Sequence, residues 1–275
     1  MKRYMMIFLV FLVGMLAACG GETTTKEAGT SKTIKIGATA GPYSDMVTKA
    51  IKPQLEKKGY KVEVVEFSDY IQPNKALAEA SIDANLFQHK IYMETFAKQN
   101  NMQLSEVIVV PTAPMGVYSK KFKSWKEVKD GSTIAIPNDP VNAARTLTML
   151  QSEGIIKLNA SVDPLKASEK DVTENQKSLK FQPIEAAQLP RSVESVDLAA
   201  VPGNFALAAK MNLLDAIQLE KMPDLYRNRV VVNTKDLDKA FAKDLKEAVE
   251  SKEFDTIIDK EFKGFGKPEW MVNRK

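Results

Sequence analysis

One cysteine, Cys19, and one histidine, His89, are present in the whole chain of 275 residues. The single cysteine excludes an intrachain disulfide framework and any Cys-based zinc site. The single histidine excludes two-His metal arrangements and leaves one imidazole as a candidate base. No sign of charge dominates: 39 Lys and Arg stand against 35 Asp and Glu, a formal +4. That charge is spread along the chain and gives no basic stripe pointing to nucleic acid. Hydrophobic residues make up 44% and charged ones 27%, which excludes a disordered tail, a collagen-like repeat and a polytopic membrane protein. No short-period repeat appears. The length suits one large α/β domain or two lobes of about 100–130 residues.

The one long apolar run is at the N-terminus. Lys2 and Arg3 precede an uncharged stretch from Tyr4 to Ala18. A bilayer-spanning helix needs roughly 20 apolar residues, so this run is short for a span and suits a signal-peptide core. A buried N-terminal helix is the alternative. The run ends Leu16-Ala17-Ala18-Cys19-Gly20, which resembles the bacterial lipobox. The resemblance implies a lipoprotein signal peptide over residues 1–18, cleavage before Cys19, and a diacylglyceryl thioether on Cys19. From Gly20 to Lys32 there is no large apolar residue, too little to fold. Residues 19–32 therefore read as the lipidated cysteine and a flexible tether. A body held on the extracytoplasmic face of the cell membrane is expected, which leaves binding proteins, surface enzymes and adhesins as classes.

From Thr33 onward the pattern alternates between strand and helix. Strands are expected at 33–38, 61–67, 107–111, 133–137, 196–201 and 230–232. Ser44 is placed to cap a helix that Pro53 kinks and Gly59 ends. Residues 143–150, 205–213 and a long amphipathic stretch over 236–260 read as further helices. Alternation of this kind predicts α/β layers with ligands near the strand ends. Two loops follow strands into helix starts, at 36–44 and 136–145. Free N–H groups there favour an anionic or polar ligand end, and the second sets Asn142 and Arg145 three apart on one helical turn.

Five strings carry a resemblance: Gly37–Asp45 (GATAGPYSD), Phe67–Asn74 (FSDYIQPN), Asp83–Lys90 (DANLFQHK), Pro137–Leu147 (PNDPVNAARTL) and Tyr226–Val232. In order and spacing they resemble the methionine-binding lipoproteins, the NlpA family, from about residue 33 to the C-terminus. The resemblance implies an α/β, periplasmic-binding-protein-like fold of type II. Two lobes would be joined by two crossovers, with the ligand in the cleft. Lobe 1 is expected over 33–112 plus 231–275 and lobe 2 over 113–230. It further implies a monomer that captures L-methionine and delivers it to the permease and ATPase of an ABC importer, with no cofactor, metal or nucleic acid.

Carried over residue by residue, Tyr70, Phe87, His89 and Tyr92 would form the side-chain pocket. A polarizable thioether suits such an aromatic cage. Ordinary lobe core is the alternative for Tyr70 and Phe87, and a hydrogen-bonded structural role for His89. Arg145 would meet the ligand carboxylate, because a guanidinium fork matches it bidentately, with Asn142 at the same end. The alternative for Arg145 is a solvated helix surface. Asn204 and Asn228 match amide positions suited to the α-ammonium and carboxylate, and Asn85 is a lesser candidate.

Three positions depart from the family pattern: Tyr43, where many relatives carry His, Pro202-Gly203 before Asn204, and Arg229 after Asn228. The last two adjoin expected ligand contacts and leave open D-methionine, another amino acid or a methionine-containing dipeptide. A surface-anchored enzyme is the second class, but the body has no cysteine, no Gly-x-Ser-x-Gly string and no partner evident for its one His. A metal-binding protein or adhesin is the third, and one His cannot supply a His-rich site.

Overall fold

The computed structural model describes residues 32–274, so the signal peptide, Cys19 and nearly all of the tether lie outside the described residues. Four strands come first: β1 (Lys32–Thr39), β2 (Tyr60–Phe67), β3 (Ala84–His89) and β4 (Leu104–Val109). The chain then crosses over and builds a second sheet from β5 (Gly116–Tyr118), β6 (Thr133–Pro137), β9 (Lys180–Ile184), β10 (Leu198–Val201) and β11 (Gln218–Leu219). A small hairpin of β7 (Ile156–Leu158) and β8 (Val172–Asn175) hangs outside it. Finally β12 (Asn228–Asn233) returns to the first sheet. The strand orders are β2-β1-β3-β12-β4 and β11-β5-β10-β6-β9.

The position of β12 organises the first sheet. It lies antiparallel between β3 and β4, and all six of its residues are buried. The sequence showed only the apolar Val230–Val232, and the expected lobe boundary at 230/231 falls inside this strand. Pairing begins at Asn228, opposite His89, so the return crossing precedes Asn228. The polar ends of the strand are buried because they find partners. Asn228 Nδ2 donates to the Phe87 carbonyl at 2.8 Å, and Arg229 forms an ion pair with Glu106.

Two helical expectations change. Gly41, at φ 95°, precedes the first helix (Pro42–Met46), with Pro42 in its first turn. Ser44 lies inside that helix and donates to the Gly41 carbonyl at 3.0 Å. Proline pre-sets helical φ at a helix start, which moves the start ahead of Ser44. The path continues as a π-helical segment, Val47–Ile51, into a helix at Lys52–Lys57. Pro53 has no N–H for the carbonyl four residues back, and the wider turn accommodates that. The long helix expected over 236–260 is two, Ala240–Val249 and Lys252–Glu261. Ser251 separates them: its Oγ accepts from the Phe254 N–H at 3.1 Å and donates to the Ala248 carbonyl at 2.8 Å. The break keeps Leu245, Val249, Phe254 and Ile258 on one core with Ile34, Ile36 and Leu86 of the first sheet. Residues 205–213 likewise yield only a short helix, Gly203–Ala208.

The second sheet is covered on both faces, one side by Leu147 and Leu150 and the other by Leu189 and Val193. Between the sheets a small cluster joins Phe87 and Tyr92 to Val141, with Tyr70 against it. Replacing Ser251 with Ala removes a helix N-cap, so Ser251→Ala is expected to cost about 1 kcal/mol. Urea denaturation checks this, as a lower midpoint with an unchanged slope.

Candidate functional site

A cavity lies between the sheets, and all eight candidate residues line it: Tyr70, Phe87, His89, Tyr92, Asn142, Arg145, Asn204 and Asn228. Each reaches it for a local reason. Phe87 and His89 are alternate residues of β3 and share a face. His89 is also the N-cap of the helix Lys90–Gln99, which carries Tyr92. Tyr70 sits on the loop between β2 and the helix Gln72–Ala78. Asn142 and Arg145 occupy the first two turns of Pro140–Ser152, capped by Asp139.

The rings form one assembly. Tyr70 lies 5.9 Å from both Phe87 and Tyr92, centroid to centroid, and 4.9 Å from Phe205 of the second lobe. The Tyr70 hydroxyl donates to Asn204 Oδ1 at 2.6 Å, and its carbonyl accepts from the Tyr92 hydroxyl at 3.0 Å. Burial pushes the Tyr70 and Tyr92 phenols well up, so both act as neutral donors.

His89 is a neutral link between lobes. Its Nδ1 accepts the Tyr92 backbone N–H at 3.3 Å, which places the proton on Nε2, facing Asn142 Oδ1 at 3.3 Å. Asn142 in turn donates Nδ2 to both Asp139 oxygens, at 3.1 and 3.0 Å. Burial, then the charges of Arg145 and Arg229, holds the imidazole well below its ordinary 6.5. Burial raises the Asp139 carboxyl, against the bonds from Asn142.

Arg145 is buried, not on a solvated surface. Its Nε donates to Glu220 Oε1 at 2.7 Å and its Nη2 to Oε2 at 2.5 Å, with the Tyr226 ring 4.9 Å from the guanidinium carbon. Burial disfavours its charge, but Glu220 outweighs that and raises its pKa. Burial pushes the Tyr226 phenol up to about 12. Buried polar atoms without a partner occur at several places among the described residues, and one of them, Asn204 Nδ2, belongs to the cavity lining. Arg145 Nη1 makes no hydrogen bond among the described residues.

Sequence reasoning missed Glu220, Tyr226 and Phe205. Glu220 lies 75 residues from Arg145 in a segment without a motif, so no local signal marked it. Tyr43, Thr112 and Gly203 also line the cavity. At Gly203 a Cβ would come within 2.7 Å of the Ala113 Cβ, so the close approach to the first crossover requires glycine there. Arg229 does not line the cavity, and Asn85 bonds to Asn74 and the Pro73 carbonyl instead. No group of three or more His, Cys, Asp or Glu among the described residues is placed to hold a metal ion.

Two α/β lobes joined by two crossings, with the cavity between them, make a type II periplasmic-binding-protein-like fold. The sequence model of the NlpA lipoprotein family matches residues 34–270, and the chain belongs to that family. It is 37% identical over 262 residues to the D-methionine-binding lipoprotein MetQ of Salmonella typhi, across 94% of this chain and 95% of the relative. It is 34% identical over 268 residues to the methionine-binding lipoprotein MetQ of Bacillus subtilis, across 96% and 97%. Among solved structures, a nutrient-binding protein from Burkholderia cenocepacia bound to methionine aligns with a TM-score of 0.80 and 43% identity. That alignment covers 84% of this chain and 97% of the other.

A buried neutral His takes its proton in the unfolded chain first, so stability is lost as pH falls through the unfolded value of 6.5. The slope from one such proton is at most about 1.4 kcal/mol per pH unit. Urea unfolding between about pH 7.5 and about pH 5.5 is expected to be steeper in pH for the wild type than for His89→Gln. Equal slopes would mean that His89 is not held neutral.

Proposed function

We propose that this chain is the substrate-binding protein of an ABC importer and captures L-methionine in the interlobe cavity. The observation that carries the reading is Asn204 Nδ2, a buried donor without a partner, lining one cavity with an aromatic cage and with Arg145, whose Nη1 makes no hydrogen bond among the described residues. An unpartnered buried donor costs about 1–3 kcal/mol, so a site built this way favours a ligand that brings an acceptor. A carboxylate meets both donors. Asn228 Oδ1, which takes no hydrogen bond among the described residues, suits the α-ammonium. The thioether chain then lies among Tyr70, Phe87 and Tyr92, where sulfur packs well against ring edges.

The reading is one of binding, supported by a family of binding lipoproteins. Both nitrogens of His89 are engaged in hydrogen bonds within the protein. The protein works as a monomer on the extracytoplasmic face, anchored through Cys19, and passes its ligand to a permease driven by an ATPase. The names of the relatives favour one second reading, D-methionine in the same site.

Isothermal titration of ligand-stripped protein with L-methionine is expected to show one site of micromolar affinity or tighter, and D-methionine in competition ranks the enantiomers. Absence of heat up to millimolar L-methionine would remove the proposal. Arg145→Ala is expected to weaken binding by about 2–5 kcal/mol, the range for truncating one partner of a buried charge pair. An unchanged affinity would place the carboxylate elsewhere.

A further inference from the structure

The charge of the Arg145 guanidinium is matched within the protein by Glu220. Glu220 takes its Nε and Nη2 side by side, and both side chains are almost fully buried, 7% and 5% exposed. Glu220 is itself fixed. Its Oε2 accepts the Met115 N–H at 3.2 Å, and its own N–H donates to the Met115 carbonyl at 2.9 Å. Tyr226 closes one face of the guanidinium. Asp139, a second carboxylate near the site, is occupied by Asn142 and does not line the cavity. The lining side chains therefore present donor groups and little net charge.

From this we infer that Glu220 is a selectivity-determining residue, one that positions Arg145 and cancels its charge so that the cavity reads the ligand's carboxyl end by hydrogen-bond geometry. The inference rests on the proposed amino-acid ligand. Its consequence is a wider substrate class, in which an uncharged carboxamide enters the site as well as a carboxylate, since either offers a carbonyl oxygen to Arg145 Nη1 and Asn204 Nδ2. With the charge of Glu220 removed, the unpaired guanidinium attracts a carboxylate and repels the net positive charge of an amino-acid amide.

The test is titration of L-methionine and L-methioninamide into the wild type, Glu220→Gln and Glu220→Asp. The amide is expected to bind the wild type. Glu220→Gln is expected to widen the preference for acid over amide by about tenfold or more, because one unit of nearby buried charge has changed. Glu220→Asp, which keeps the charge, is expected to stay nearer the wild-type ratio. A purely structural role for Glu220 would weaken both ligands in parallel and leave the ratio unmoved, which overturns the inference. So does a wild type that binds L-methionine but no amide, a result that needs no variant to fold. A wild type that binds neither ligand overturns the functional reading itself.

Discussion

A guanidinium withdrawn from water requires a partner of opposite charge, and much of the cleft follows from meeting that requirement. Leaving such a cation unpaired in a dry site costs several kcal/mol. Glu220 supplies the charge and Tyr226 a ring face. Both belong to the segment that runs from the second sheet back to the first. The same segment delivers Asn228, whose N–H donates to Thr112 Oγ1 at 2.8 Å. The two crossovers are thereby tied to each other, and the arginine sits directly on that joint.

Contacts between the lobes differ in kind from contacts within them. Each lobe is held by a packed apolar core. Across the cleft the lobes meet through Tyr70 on Phe205 and Asn204, through His89 with Asn142, and through Val141 beside Phe87 and Tyr92. These are a few hydrogen bonds and ring contacts, each worth on the order of 1 kcal/mol. Hinge motion about the crossovers can break them without disturbing either core. Tyr70 is at once a wall of the cage and a bond between lobes, so filling the cavity and closing it draw on the same side chain.

The aromatic cage was named through the family resemblance, since on the residues alone Tyr70 and Phe87 read as ordinary lobe core; alternation along a strand adds only that Phe87 and His89 share a face. Asn142 and Arg145 were legible locally, lying three apart after a Pro-Asn-Asp-Pro turn. What surrounds Arg145 was not. Whether an arginine is solvated or buried depends on a residue from a distant loop, and composition carries no trace of a pairing of that range. The long C-terminal helix was misread because Ser251 sits in an amphipathic pattern that continues across it. Only the hydrogen bonds of its hydroxyl show that it starts a helix. Strand β12 was seen in part, since its polar ends are paid for by partners that the sequence does not display.

The insertion of β12 also sets an order of assembly. The second lobe is contiguous in sequence, from β5 to β11, and all its strand partners are present once that stretch has emerged. The first lobe is not. Its β3 and β4 have no direct pairing and wait for a strand more than a hundred residues downstream, a long-range closure of the kind that slows folding. Until β12 arrives, two strand edges stand open, and open edges are where chains pair wrongly. The last strand in sequence is also the one that carries Asn228, so the binding cleft is complete only when the first lobe is.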